Sequence, residues 1–184
     1  GPHPMSTLSR IVSLFVVTGA LACGGGASTD EHQLPPTTGR TAIEAWISAG
    51  HYKAWHCESA AHAARSPSPH GQNRICSNDA MSNFAGAGEY PIGSAAVKEL
   101  FDDAAKNIIG YAVEVHTAAG NTGDTWYWYE RVPLSSAAPH DSNGVVADGS
   151  GASGPAQTIC VGCHQAAGSD AGHSGHNFVY TQVK

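Results

Sequence analysis

The chain has 184 residues, of which 9 are Lys or Arg and 15 are Asp or Glu, so its formal net charge is −6 at pH 7. A nucleic-acid-binding surface needs a surplus of basic residues, and this balance excludes one. With 41% hydrophobic residues, the length is enough for one domain with a hydrophobic core and excludes wholesale disorder.

The first predicted element is an apolar run near the amino terminus. It follows Met5 and the single cation Arg10, and residues 11–23 carry no charge. Such a run is too short to span a bilayer as a helix, and a leading Arg with small residues before the end is typical of a secretory signal. We predict that residues 1–22 are a signal peptide and that the protein is exported to the periplasm. The alternative is a buried amino-terminal helix.

The end of this run, Ala20-Leu21-Ala22-Cys23-Gly24, resembles the lipobox of bacterial lipoproteins, in which the Cys is acylated. The commonest form has Leu three residues before the Cys, whereas Leu21 is two before it. We predict lipidation of Cys23, with ordinary export as the alternative. An anionic chain disfavours docking on anionic headgroups, so membrane attachment is expected through the lipid anchor only.

Residues 23–40 are rich in Gly, Thr, Pro and acidic residues and show no apolar periodicity, which predicts a flexible tether. The ordered domain is expected at residues 41–184. Its first element is a helix, because Thr41 and Glu44 have the spacing of a capping box and Ile43, Trp46 and Ile47 fall on one helical stripe.

Four short runs rich in Val, Ile, Tyr and Trp follow, separated by Gly, Asn and Asp clusters, at residues 74–78, 94–101, 108–117 and 124–132. They predict strands of a mainly antiparallel sheet. In the third run Glu114 and His116 share the face opposite Val113 and Val115, so that face is expected to look towards a site or solvent.

The aromatic residues at 126–129 alternate across the fourth strand, and one pair is expected near the site while the other packs under a helix. Residues 139–154 are predicted to be a long polar loop. Pro155 then begins a short helix.

This last helix carries Cys160-Val-Gly-Cys163-His164, the C-x-x-C-H spacing that attaches c-type haem. Each thiol can add to one vinyl group of the same porphyrin, and the adjacent imidazole then ligates the iron. The predicted fold class is therefore α+β, a mainly antiparallel sheet flanked by helices with a C-terminal haem-attachment helix. No Met follows Cys160, so a Met ligand on the opposite side of the iron is not expected.

The same cysteines allow two other interpretations. Cys160, Cys163, His173 and His176 could bind zinc, although both the gap between the pairs and the His spacing are shorter than in common fingers. A thioredoxin-like redox pair lacks its βαβ context.

The remaining cysteines, Cys57 and Cys76, are predicted to form a disulfide, because an exported chain matures in an oxidising compartment. Closing a loop of about twenty residues would stabilise the fold by roughly 3 kcal/mol on the chain-entropy model. Two unpaired buried cysteines are the alternative.

After the first helix, a set of segments occurs in a fixed order: SPHGQNRICSND, YPIGSAAVKELFD, IIGYAVEVH, GDTWYWYERV, and CVGCH with the tail HNFVYT. This order resembles the cytochrome P-460 family, which includes the related cytochromes c′-beta, and it covers nearly all of the domain. The resemblance implies a β-rich, usually dimeric haem protein with the proximal ligand His164 and an open distal iron position.

The resemblance also assigns individual residues. In the cytochromes P-460 a Lys is bonded to the porphyrin edge, and Lys98 occupies the corresponding place. A distal carboxylate is expected at Glu130, with Glu114 as the other candidate. His70 could approach the distal side, and Arg74 matches a recurring strand Arg that an ordinary salt bridge would also explain.

Two functions follow from the resemblance. The first is an enzyme in which Lys98 and Glu130 serve the oxidation of hydroxylamine or a related small nitrogen compound, with electrons passed to a redox partner protein. The second is a non-catalytic cytochrome of the c′-beta type that binds nitric oxide or transfers electrons.

Overall fold

The structure, a computed structural model, describes residues 1–2 and 33–184. The predicted signal peptide, the lipidation site Cys23 and the first part of the tether therefore lie outside the described residues. Residues 33–39, the end of the predicted tether, adopt no helix or strand. Among the described residues, none of the helices combines the length and apolar character that a membrane span requires.

The fold is α+β and is built on one six-stranded antiparallel sheet in which the strand order follows the sequence. The strands are β1 His56–Cys57, β2 Gln72–Ser77, β3 Ala95–Phe101, β4 Ile108–His116, β5 Trp126–Arg131 and β6 Val145–Ser150. The helices are α1 Arg40–Ala49, α2 Asp79–Ser82, a π-helical segment Ala156–Val161 and its continuation α3 Gly162–His164, with short 3-10 helices at His51–Ala54 and Gly123–Thr125. The four predicted strands are confirmed as β2 to β5.

Helix α1 is the predicted first helix, but its amino terminus differs from the prediction. Gly39 is the N-cap, with φ of 105°, and no side chain caps the helix. The Gly39 carbonyl accepts from the amides of Ala42 and Ile43, so Thr41 lies in the first turn and the capping box does not form. The helix ends at Gly50, whose φ of 76° suits a residue without Cβ.

One face of the sheet packs under α1. Its core joins apolar residues of α1 and the following turn to alternate residues of the strands: Ile43, Trp46, Ile47, Tyr52, Trp55, Val97, Val113, Val115, Tyr127 and Tyr129. Each large side chain fully buried in this way contributes roughly 1.5–3 kcal/mol. The alternation predicted for β4 and β5 is thus confirmed on this face.

The opposite face is covered by the end of the chain. Trp126 and Trp128 of β5 pack there with Ala156 of the π-helical segment and with Val179 and Val183. We call residues 156–164 the motif helix and residues 176–180 the C-terminal strap. Both lie on the face that carries Glu114 and His116, so this face has the mixed polarity that the sequence predicts.

The prediction of one long polar loop over residues 139–154 is wrong, because β6 lies within it. Val146 and Ala147 are buried, and β6 pairs with β5 from Tyr127 to Arg131. Its second half is Asp148-Gly149-Ser150, a composition depleted in strands. Position at the sheet edge, where one side needs no pairing, permits this composition.

Cys57 and Cys76 form a disulfide bond between β1 and β2, where they lie directly opposite each other. The bond closes the connection between these two strands. We call residues 58–71 the covering loop, because its last residues, Pro69, His70 and Gly71, reach over the second face of the sheet.

Candidate functional site

A cleft of about 580 Å³ lies between the second face of the sheet, the motif helix and the covering loop. Its lining from the sheet and the covering loop includes His70, Lys98, Glu114 and Glu130. From the motif helix it is lined by Cys160, Cys163 and His164. The fold therefore brings together the residues that the sequence singled out for catalysis and cofactor binding.

Strand register places the charged groups of the sheet. Lys98 of β3 lies opposite Ala112 of β4, and Ala112 lies opposite Glu130 of β5, so one row crosses three strands. Glu114 is two residues from Ala112 and shares its face. Because Ala112 is small, the row leaves open space between the two longer side chains.

The thiols of Cys160 and Cys163 are not bonded to each other or to another cysteine, and both are half-buried. Cys160 lies in the last turn of the π-helical segment Ala156–Val161, and such segments are often found at functional sites. Burial, together with the carboxylates Glu130 and Glu114, raises the pKa of Cys160 to about 12. Its thiol is therefore protonated at neutral pH.

Two glycines, Gly123 and Gly151, leave the space that lets the motif helix lie close to the sheet. A Cβ at Gly123 would overlap the side chain of Val161, and one at Gly151 would overlap both Val161 and the carbonyl of Gly123. This close approach sets the position of Cys160 and His164 relative to the cleft.

His164 is held in one tautomer. Its Nδ1 lies 2.6 Å from the carbonyl oxygen of Phe178, so Nδ1 carries the proton and donates it. The ring packs edge-on against Trp128 and Tyr180, with centroids 4.7 and 5.4 Å away. Burial, reinforced by Lys98, lowers the pKa of His164 to about 3. The imidazole is therefore neutral, with the lone pair of Nε2 available to a metal.

Lys98 and Glu114 each affect the pKa of the other. Burial lowers the pKa of Lys98, although the nearby Glu114 and Glu130 oppose the shift. Burial also raises the pKa of Glu114 to about 7, against the effect of Lys98. Burial therefore favours the neutral form of both side chains.

Glu130 has a different partner. Its Oε1 lies 3.3 Å from Nδ1 of His70, and both side chains are nearly buried. The covering loop therefore supplies a histidine to the carboxylate that the sequence placed on the distal side.

Arg74 does not belong to the cleft. Its Nε lies 2.7 Å from Oε2 of the fully buried Glu99, whose other oxygen accepts from the hydroxyl of Tyr52 at 2.7 Å. The pair lies opposite in register on β2 and β3. Arg74 is therefore explained by an ordinary salt bridge within the sheet.

The alternative zinc ligands do not converge. His173 lies 2.8 Å from Asp170, and His176 stacks on Tyr90 with centroids 4.5 Å apart. In the part of the chain that the structure describes, no three His, Cys, Asp or Glu side chains form a group that could hold a metal ion.

The C-terminal strap is the part of the site that sequence reasoning did not identify from the residues. The Phe178 carbonyl holds His164, and the hydroxyl of Tyr180 donates to the carbonyl of Cys163 at 2.9 Å. Asn177 and Phe178 have φ of 44° and 70°, an uncommon conformation for residues with a Cβ. Only the HNFVYT resemblance pointed to this segment, because every residue has a backbone carbonyl and the sequence does not indicate which one accepts a hydrogen bond.

These residues fit a c-type haem. Two unbonded thiols stand beside the cleft, and a neutral imidazole with a fixed tautomer is the form that binds iron. The cleft volume lies within the range of about 300–1,000 Å³ typical of cofactor sites. The donor set and the space thus agree with the group that the motif indicates.

Comparison of the chain with protein-family models, with curated proteins and with solved structures gives no match.

Proposed function

We propose that this protein is an exported mono-haem c-type cytochrome that oxidises hydroxylamine or a related small nitrogen compound. The observation that carries the proposal is the arrangement of the cleft. The C-x-x-C-H motif, with a tautomer-fixed His164, lies on one wall, and the nearly buried pair of His70 and Glu130 lies on another.

Cys160 and Cys163 hold the haem in this proposal. Each S–H adds across one vinyl C=C: sulfur bonds to one vinyl carbon and the hydrogen goes to the other, so no oxidant is consumed. Nε2 of His164 would ligate the iron. A bound haem would supply a site for the substrate nitrogen and an acceptor of single electrons.

Glu130 is the proton acceptor in this proposal. Every electron removed from the substrate nitrogen passes to an external one-electron acceptor, and an accompanying proton passes to Glu130 and on to solvent. His70, 3.3 Å from the carboxylate, orients Glu130 and provides the next group for the proton. A small polar substrate matches the space that Ala112 leaves beside Glu130.

The test is production in a host competent for cytochrome c maturation, followed by intact mass and absorption. We expect the mass of one haem added covalently, and a Cys160→Ala/Cys163→Ala variant without it. The holoprotein is then assayed for hydroxylamine oxidation with an artificial one-electron acceptor.

Colourless protein with two unmodified thiols would refute haem binding. A haem-loaded protein that binds nitric oxide but does not turn over hydroxylamine would replace the enzyme with the ligand-binding cytochrome of the c′-beta type.

A further inference from the structure

Glu114 lies on the side of His164 that faces away from the proposed iron bond. Its Oε2 is 3.4 Å from His164 Nδ1, the nitrogen that donates to Phe178. This oxygen is buried and has no hydrogen-bond partner. A carboxylate without a hydrogen bond is costly, since an unsatisfied buried polar group costs roughly 1–3 kcal/mol and a charged one costs more.

No side chain on the neighbouring strands donates a hydrogen bond to this oxygen. The cross-strand neighbours of Glu114 are Ala96 of β3 and Trp128 of β5. Ala96 has no side-chain donor, and the indole N–H of Trp128 lies 3.3 Å from the carbonyl of Gly123, to which it donates. Lys98 provides a favourable charge nearby without a hydrogen bond to this oxygen. The position of Glu114 is thus unexplained by packing within the fold.

We propose that Glu114 is a positioning residue for His164, an inference that rests on the proposed function. Its carboxylate oxygen lies 3.4 Å from Nδ1, beside the N–H that donates to the Phe178 carbonyl at 2.6 Å. A carboxylate next to the N–H of a metal-binding imidazole raises the basicity of the ring. Glu114 therefore strengthens the bond from Nε2 to the iron and favours the oxidised metal.

The two carboxylates of the cleft thus have different roles. Glu130 has His70 as its partner, whereas Glu114 has the ligand His164. Glu130 therefore acts on the substrate, and Glu114 acts on the metal through the imidazole. The two are matched in residue type and differ by the ring they face, which makes Glu130 the control for Glu114.

The experiment uses the ferrous holoprotein and two readouts other than turnover: the iron–histidine stretching frequency by resonance Raman, and the reduction potential. Glu114→Gln and Glu114→Leu should both lower the stretching frequency and shift the potential to a more positive value. Glu130→Gln also removes a carboxylate from the cleft, and it should leave the stretching frequency at the wild-type value.

Glu114→Asp, which shortens the carboxylate, should give a frequency between those of the wild type and Glu114→Gln. A wild-type frequency in haem-loaded Glu114→Gln and Glu114→Leu would overturn the role of Glu114 while the proposed function stands. An equal fall in Glu130→Gln would also overturn it, because the effect would then be general to the cleft. A wild-type protein without haem refutes the proposed function and the inference together.

Discussion

Lys98 stands in a row of side chains that crosses three strands, between Ile75 on β2 and Ala112 on β4. Burial favours its neutral amine, which is the nucleophilic form. Joining this nitrogen to the porphyrin edge replaces one N–H and one C–H by an N–C bond. It releases two protons and two electrons, so an external two-electron oxidant would have to accept the electrons.

Lys98→Ala tests this bond. If it forms, the wild-type ferrous protein has a red-shifted Soret band, and the variant loses the shift but keeps its haem, because Cys160 and Cys163 remain. Lys53→Ala, which removes an exposed Lys next to the core residue Tyr52, is the control and should keep the wild-type spectrum. Identical spectra for the wild type and Lys98→Ala would exclude the bond.

At this scale the sequence pointed to individual residues but not to the contacts they make. Cys160, Cys163 and His164 follow from a spacing with a chemical cause. The sequence left the choice between Glu114 and Glu130 open, since they lie on different strands and only cross-strand register shows which one meets His70 and which one meets His164. The Phe178 carbonyl could not be predicted, because every residue has such an acceptor.

The motif helix depends on elements that lie far from it in the sequence. Gly123 precedes β5 and Gly151 follows β6, and Val161 packs against both. The amide of Gly151 also donates a hydrogen bond to the carbonyl oxygen of Trp126, at 3.0 Å. The absence of a Cβ at these two positions is thus what lets the helix approach the sheet.

Gly151→Ala should destabilise the fold by about 1–3 kcal/mol, because the added methyl overpacks against Val161 and the Gly123 carbonyl. It should also reduce haem incorporation, since Cys160 and His164 move with the helix. Urea unfolding and the ratio of haem absorbance to protein measure the two effects.

Gly88→Ala is the matched control, because a Cβ at Gly88 meets nothing within 4 Å. It should change stability by no more than about 0.5 kcal/mol. If Gly151→Ala behaves like Gly88→Ala in both measurements, the close packing of the motif helix against Gly151 does not set its position.

Elements with strong apolar alternation were predictable, and elements shaped by context were not. β3, β4 and β5 carry the Val, Tyr and Trp pattern of half-buried strands. β6 carries Asp148 and Gly149 in its second half, a composition that predicts a loop. The N-cap of α1 was misplaced because Gly39, rather than a side chain, accepts the first amides.

Over the whole molecule, the formal charge of −6 should govern encounters with electron acceptors. For the reduced holoprotein, the rate of oxidation by a small cationic one-electron oxidant should fall as ionic strength rises from about 0.01 to 0.5 M, because salt screens the attraction. With an anionic oxidant the rate should rise over the same range.

Stopped-flow re-oxidation measures both rates. The two oxidants control for each other, since any effect of salt on the haem itself would move both rates in one direction. Rates that change in the same direction would show that net charge does not steer the encounter. The physiological acceptor is accordingly expected to present a basic surface.

Because every strand pairs with the one that precedes it along the chain, the sheet is a meander whose contacts close over short sequence separations. The motif helix and the C-terminal strap come last in the polypeptide and pack on a sheet that needs neither of them for its pairing. The wall bearing Lys98, Glu114 and Glu130 therefore precedes Cys160 and Cys163 along the chain, and in the proposed cytochrome this order would let the wall form before the haem-attaching thiols join it.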